Sequence, residues 1–255
     1  MEFRIADSFR LRLYPEGQIP ELLFVAGYEP TELSFCARFL KPGMNVLDIG
    51  ANVGLYSVLI SHKIAPRGRA WCFEPSSQTA ANLRRNLELN GCSNAIVVQK
   101  ALSNADGGFL TLRQDPGLGD GERYILVDNR NNDQAGMLER VPITTLDAWH
   151  REPACDADHF DFAKMDVEGW EYHVLHGAKE FLAANPDIVL MFECTREGCA
   201  RAGHRQQDVF DFLKALGYEI YCYDRKRGKW TSNEEMLLAA GNVWASRDAG
   251  RLPRV

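Results

Sequence analysis

The stretch VLDIGANVG, residues 46–54, decides the fold. A short apolar run carrying Asp48 leads into a Gly50-Ala51-Asn52-Val53-Gly54 turn, and apolar residues at helical spacing follow at Leu55, Val58 and Leu59. That order reads as a strand, a tight glycine turn and a helix N-terminus. Glycine lets the backbone turn sharply and lets a ligand approach without meeting a Cβ, while the first helical turn offers unpaired N–H groups and partial positive charge. An anionic group is expected there.

Asp48 narrows the ligand. A dinucleotide fingerprint places glycine two positions before Gly50, because the pyrophosphate lies against the backbone at that point. A carboxylate in the same place repels phosphate and attracts an ammonium group. A ligand with both a carboxylate and an ammonium is an amino acid, and the nucleoside-linked amino acid that fits is S-adenosylmethionine. In this respect the segment resembles the first glycine motif of class I methyltransferases. An NAD-dependent oxidoreductase is the rival reading of the same cleft, and Asp48 in place of glycine speaks against it. A non-catalytic binding module that keeps the pocket for folding or assembly is the second rival.

An apolar content of 45% with 25% charged residues suits a soluble globular chain that can bury a core. The net charge of −6 argues against a nucleic-acid partner, since such domains carry a basic excess. The basic run Arg225-Lys226-Arg227-Gly228-Lys229 reads as a solvated hairpin turn. No stretch reaches the ~18 apolar residues of a membrane span, and the opening MEFRIADSFRLRLY lacks a signal-peptide core, so a cytoplasmic protein without a membrane partner is expected. The seven cysteines form no C-x-x-C pair and suit reduced thiols; Cys194 and Cys199 lack the second pair a zinc site needs.

Strands and helices alternate beyond the opening motif. Ala70 to Glu74 is a strand ending in an acid, followed by a helix through Ala80, Leu83 and Leu87; a third strand runs from Ala95 to Gln99. A fourth lies in FDFAKMDVEG, residues 160–169, and the period of Trp170, Val174, Leu175, Ala178, Phe181 and Leu182 predicts one helix after it, stopped at Asn185-Pro186. DIVLMFEC, residues 187–194, reads as a strand covered on both faces. Val209, Phe212, Leu213 and Leu216 make a helix ended by Gly217, and β-rich segments Tyr218 to Tyr223 and Asn242 to Ala245 follow. The fold class is α/β, with a doubly wound, mostly parallel seven-stranded sheet. Ligands of such sheets bind at the carboxyl ends of the strands.

The span between the third and fourth strands is long, and residues 114–136 are rich in Gly, Asp and Asn. Short apolar pieces at Phe109 to Leu112, Tyr124 to Val127 and Val141 to Ile143 suggest an added β hairpin, so residues 103–145 are expected to form a β-rich, substrate-facing insertion. The whole chain, 1–255, reads as one domain with an N-terminal cap segment over 1–40. The polar tail from Arg247 to Val255 is expected to fray.

Glu74 is placed to accept hydrogen bonds from two vicinal ribose hydroxyls, with Pro75 and Ser76 near the adenine or ribose and Ala101 past the third strand as a further cofactor contact. In Lys164-Met165-Asp166-Val167-Glu168-Gly169-Trp170-Glu171, strand alternation puts Lys164, Asp166 and Glu168 on one side. Methyl transfer from a sulfonium needs an aligned oxygen and a place for its proton. Asp166 or Glu193 could be that base if burial raises its pKa, and Lys164 could orient the acceptor oxygen. Paired acids could instead hold Mg²⁺, although no metal ligand set is evident. His173 and His176 read as an exposed helix face, and His150 and His159 as outside candidates for a base.

Together, residues 48–54, Phe73-Glu74-Pro75, residues 164–171 and Glu193 resemble the FkbM family of S-adenosylmethionine-dependent methyltransferases, over a span from about Gly27 to Glu193. The resemblance implies a Rossmann-like sheet, S-adenosylmethionine as methyl donor, and O-methylation of hydroxyls on small molecules such as polyketide or sugar-containing natural products. It implies Asp48, Gly50, Ala51, Asn52 and Gly54 at the methionine end of the cofactor, Glu74 at the ribose and Asp166 at the methyl end. Tyr28-Glu29 is similar to the family's segment before the first strand, which implies Glu29 near the cofactor amine. Residues 114–136 have no counterpart in that pattern and are expected to set the choice of acceptor.

Overall fold

The computed structural model describes residues 2–5, 9–12, 29–115, 123–127 and 136–255; Gly27, Tyr28, much of the 1–40 segment and most of 114–136 lie outside them. An antiparallel hairpin of β1 (Glu2–Ile5) and β2 (Phe9–Arg12) precedes helix α1 (Pro30–Phe39). Then come β3 (Asn45–Ile49), α2 (Leu55–Ile64), β4 (Arg69–Phe73), α3 (Ser77–Leu89) and β5 (Ala95–Val98). After β6 (Ala101–Leu102), β7 (Phe109–Gln114), β8 (Tyr124–Ile125), β9 (Met137–Thr144) and α4 (Leu146–Trp149) the chain returns to β10 (Phe162–Met165). It continues through α5 (Glu171–His176), α6 (Lys179–Ala184), β11 (Val189–Glu193), α7 (Arg196–Arg201), α8 (Gln206–Ala215), β12 (Glu219–Asp224), β13 (Lys229–Thr231), α9 (Glu234–Ala239) and β14 (Asn242–Ser246).

Among the described residues the main sheet has eight strands in the order β13-β12-β14-β11-β10-β3-β4-β5, not seven. The five strands from β11 to β5 are parallel, and β14, β12 and β13 add antiparallel pairs. The extra strand, β13, exists because the chain reverses through the basic turn at 225–228 and pairs back on β12. The insertion is also more than a hairpin. Ala101-Leu102 pairs in parallel with Ile143-Thr144, and the result is a separate four-stranded sheet, β6-β9-β7-β8.

Each face of the main sheet packs its own apolar cluster. Leu47, Ile49, Trp71, Phe73, Met165 and Phe192 join one, and Val46, Cys72, Phe162, Met191, Phe35 and Trp244 the other. Strands buried on both sides need continuous apolar runs, as in VLMFE of β11. Asp48 and Lys164 are cross-strand neighbours in register on the second face, an expensive place for charge.

Two further expectations change. The single helix across 170–182 is two, α5 and α6: Gly177 caps the first, its N–H donating to the His173 and Val174 carbonyls, and it packs so closely on the Ser103 carbonyl that a Cβ there would come to 2.0 Å. The tail does not fray: Tyr223 and Trp230 donate hydrogen bonds to the Val255 and Pro253 carbonyls, and Leu252 is buried. No helix among the described residues is long and apolar enough to cross a membrane.

The tightest passage joins the two loops that leave the carboxyl ends of β3 and β10. Gly50 has φ +78°, and a Cβ on it would come 1.8 Å from the Asp166 carbonyl oxygen, which belongs to the neighbouring strand's loop. Gly50→Ala therefore meets backbone rather than a movable side chain and adds left-handed strain. We expect a loss of ~3 kcal/mol or more in urea unfolding, or no soluble protein at all.

Candidate active site

Apart from Glu29 and Glu168, the acids singled out in the sequence are delivered by the carboxyl ends of parallel strands: Asp48 by β3, Glu74 by β4, Asp166 by β10, Glu193 by β11. The glycine turn leaves β3 and its first amides, Gly50 N–H and Ala51 N–H, both donate to the Phe73 carbonyl at 3.0 and 2.9 Å. Asn52, at φ +50°, donates its N–H to Glu74 Oε2 at 3.0 Å. Ser76 N–H donates to Glu74 Oε1 at 2.9 Å. Glu74 is thus tied to the turn rather than capping the next helix, which Ser76 does. Burial drives its pKa up to about 7 despite these two donors. Pro75 and Ser76 follow it directly, and Ala101 is buried in β6.

Asp48 is fully buried. Ser57 Oγ donates to its Oδ2 at 2.5 Å, while its Oδ1 has no hydrogen-bond partner. Burial raises its pKa, and the Lys164 ammonium opposes the shift. In this conformation the carboxyl therefore faces the interior beneath the turn. Lys164 is also nearly covered; its Nζ donates to Asp166 Oδ2 at 3.1 Å and lies 4.8 Å from the Tyr56 ring centroid. The Tyr56 hydroxyl donates to Glu29 Oε2 at 2.5 Å, and Asn242 Nδ2 donates to Glu29 Oε1 at 3.3 Å. Asn242 pairs in register with Glu193. One run of contacts and strand pairings thus joins Glu29, Tyr56, Lys164, Asp166, Asn242 and Glu193.

Alternation fails one residue past the strand. β10 stops at Met165, Asp166 N–H donates to the Ile49 carbonyl at 2.9 Å, and Glu168 takes φ +56°. Lys164 and Asp166 stay together while Glu168 turns to Arg201, with Nη2 to Oε2 at 3.4 Å. Glu171, the last residue of the 164–171 motif, is buried under this loop. Its Oε1 accepts from Val167 N–H at 3.0 Å and Gly169 N–H at 3.4 Å, and its Oε2 has no hydrogen-bond partner. Burial lifts Glu171 to about 8. Glu193 rises to about 9, by burial first and then by Asp166, Glu168 and Glu171. Lys164 thus serves three acids, Asp48, Asp166 and Glu193.

The histidines lie elsewhere. His173 stacks on Trp170 with centroids 3.8 Å apart and His176 packs on Tyr172 and Phe212, so neither is on an exposed face. His150 packs on Phe160 and Phe181, and His159 contacts Asp161; both precede β10 and lie at its amino end, opposite Asp166. Among the described residues no three His, Cys, Asp or Glu side chains gather as a cation site. Sequence reasoning missed Tyr56, Asn242, Glu171 and two residues of the insertion sheet. Arg123 donates to Ser76 Oγ, and to Thr79 Oγ1 at 2.6 Å, while Glu139 Oε1 accepts from Ser77 N–H at 2.8 Å. Only Glu171 gave a signal, as an acid in a dense motif; the others look like ordinary helix or strand residues.

Comparison with known proteins finds that a family model for the methyltransferase FkbM domain matches residues 48–220. The methyltransferase sdnD of Sordaria araneosa is 26% identical, covering 92% of this chain and 95% of that protein. The 2-O-methyltransferase NoeI of Sinorhizobium fredii is 27% identical over 56% of this chain, which spans only 60% of that protein. Among solved structures, a SAM-dependent O-methyltransferase from Thermotoga maritima superposes at a TM-score of 0.50 with 13% identity, over 97% of this chain and 77% of that one. At that identity the match speaks for a shared fold, a class I Rossmann-like α/β sheet.

The raised acids make stability depend on pH. A carboxyl whose folded pKa exceeds its unfolded value binds its proton more tightly when folded, so its contribution is complete below ~4.5 and is lost as pH rises through the folded value. For Glu74, Glu171 and Glu193 that window ends at about 7, 8 and 9. The lowered acids Asp115, Glu139 and Asp208 titrate beneath it, the raised His204 adds to the decline, and the lowered Cys199 thiol opposes it, one group against three carboxyls. The unliganded protein should lose stability steadily from pH 5 to pH 9, and Glu171→Gln, neutral throughout, should flatten the decline; urea midpoints at intervals of one pH unit test both.

Proposed function

The chain belongs to the FkbM methyltransferase family, and from that premise we propose that it moves a methyl group from S-adenosylmethionine to a hydroxyl oxygen of a small metabolite. The observation that carries the proposal is the junction of the glycine turn with the acid-and-lysine loop, Gly50 against Asp166, which sets a nucleoside-binding turn beside a proton-accepting cluster. Bound there, the cofactor supplies a methyl on a positive sulfur that is already an excellent leaving group.

The residues fit that group. Glu74 has both oxygens engaged by backbone N–H groups, yet each keeps a second lone pair for a ribose hydroxyl. Gly50, Ala51, Asn52 and Gly54 leave the turn free of large side chains, and Glu29 and Asp48 add negative charge for an ammonium. Asp48, wholly buried with one unpartnered oxygen, acts from behind the turn. Pro75, Ser76 and Ala101 complete the adenosine side.

At the other end Lys164 holds Asp166, and together they orient the acceptor hydroxyl in line with the methyl. Glu193 takes the proton. An ordinary carboxylate is too weak a base for an alcohol, whereas burial and three neighbouring acids bring Glu193 to about 9. It is largely protonated at neutral pH, so turnover is limited by its ionised fraction. The name of NoeI, a 2-O-methyltransferase, supports oxygen as the accepting atom. A polyketide or sugar-containing natural product is the acceptor class proposed, with the insertion as its contact surface.

S-adenosylmethionine and S-adenosylhomocysteine, but not NAD⁺, should raise the unfolding midpoint, by ~2.7 kcal/mol of stability at 100 times the dissociation constant. A response to NAD⁺ alone would sink the proposal. With labelled donor and an extract of hydroxylated metabolites, kcat/KM should climb about tenfold per pH unit below the Glu193 value. Glu193→Gln should abolish the climb, and Asp166→Ala should cost 10²-fold or more in rate. Glu74→Gln should weaken S-adenosylhomocysteine binding about 10- to 100-fold, the value of a charged hydrogen bond.

A further inference from the structure

Two thiols meet directly behind the acid loop. Cys194 follows Glu193 at the end of β11, Cys199 lies in α7, and their sulfurs are 3.8 Å apart in a buried contact. His204 completes the group. Its Nε2 lies 2.9 Å from the Gly169 carbonyl oxygen and its Nδ1 3.4 Å from the Arg205 carbonyl oxygen. Carbonyls only accept, so both ring nitrogens are satisfied when both carry hydrogen, the imidazolium form. An imidazolium beside two touching thiols favours one thiolate. The hydrogen bond from Cys194 and the charge of His204 bring the Cys199 thiol below its usual range against the effect of burial, and Cys194 is pushed up as the donor of the pair.

We propose that Cys194 and Cys199 are a reversible oxidation site, a dithiol that hydroperoxides convert to a disulfide. The Cys199 thiolate attacks one peroxide oxygen, the O–O bond breaks, and the departing hydroxide takes a proton from His204 and leaves as water. Cys199 is now a sulfenic acid, oxidised by two electrons. The Cys194 sulfur then attacks it, the S–S bond forms as the S–O bond breaks, and the hydroxyl leaves with the Cys194 proton as a second water. Two thiols and one peroxide give one disulfide and two waters.

Closing the bond to ~2.05 Å draws the sulfurs together by roughly 1.8 Å. Both cysteines are tied to the site: Cys194 is bonded to Glu193, and Cys199 adjoins Gly198, whose carbonyl oxygen would lie 2.2 Å from a Cβ on Gly169. His204 holds the Gly169 carbonyl as well. On this proposal the shift of the two sulfurs is passed on to Glu193 and to the 166–169 loop; that this lowers methyl transfer rests on the function proposed above.

Arg196 lies between the two cysteines, so trypsin separates them into peptides that remain joined only through a disulfide. After treatment of the intact protein with hydrogen peroxide, we expect the joined pair, its loss on adding dithiothreitol, and a dimedone-trapped sulfenic acid at Cys199 in Cys194→Ser. Cys155 is the internal control, being more exposed but pushed up in pKa by burial and three acids. Oxidation of Cys155 with Cys194 and Cys199 still reduced would overturn the site. Oxidation should also weaken S-adenosylhomocysteine binding at least tenfold, restored by reduction; a disulfide that leaves affinity unchanged would overturn the coupling. Reduced protein that binds no S-adenosylhomocysteine counts against the methyl-donor reading alone, since the peptide map judges the thiols independently.

Discussion

The architecture of the site depends on two loops sharing one space. β3 and β10 are adjacent and parallel, so the chains leaving their carboxyl ends compete for the same volume above the sheet. Gly50 resolves the competition by having no side chain, and the Asp166 carbonyl takes the room a Cβ would fill. The glycine turn and the acid loop become neighbours as a result, though more than a hundred residues separate them in sequence. Everything chemical follows from that adjacency: Lys164 reaches both Asp48 and Asp166, and Glu171 fixes the loop from below.

Charge is the second constraint, and it works against stability. Asp48, Asp166 and Glu193 share the charge of one ammonium, Lys164, so part of the negative charge has no positive partner. Buried acids answer by holding protons, as Glu171 and Glu193 do at neutral pH. On the proposed reading a sulfonium and an ammonium entering the cleft supply the missing positive charge. Binding and ionisation then reinforce each other, because a nearby cation lowers the pKa of an acid.

Much of this was legible in the sequence because it is local. The strand, turn and helix of residues 46–59 are contiguous, and the acids Glu74, Asp166 and Glu193 each end an apolar run, so topology alone carries them to one edge. What stayed hidden depends on distant partners. Position 177 must be glycine because Ser103, distant in sequence, packs against it, a requirement the helical period does not carry. Tyr56 looks like a core residue of α2 until Glu29 and Lys164 are found at its two ends. His150 and His159 were plausible bases by chemistry, but strand direction, which composition does not encode, puts them at the wrong end of β10.

The insertion sheet shows why residues on a short strand can matter more than their burial suggests. Arg123, just before β8, is bonded to Ser76 and Thr79 at the start of α3, and its charge opposes the burial that raises Glu74 and helps to hold Glu139 low. Its neighbour Tyr124 lies 4.4 Å under the Arg201 guanidinium, and Arg201 holds Glu168. Two consecutive residues therefore touch opposite ends of the site, the one proposed for adenosine and the one proposed for methyl transfer. On the proposed reading, an acceptor contacting this strand would act on Glu74 and on the 166–169 loop through these polar contacts. Variation confined to the insertion would then change the acceptor while the strands that position Asp48, Glu74, Asp166 and Glu193 remain as they are.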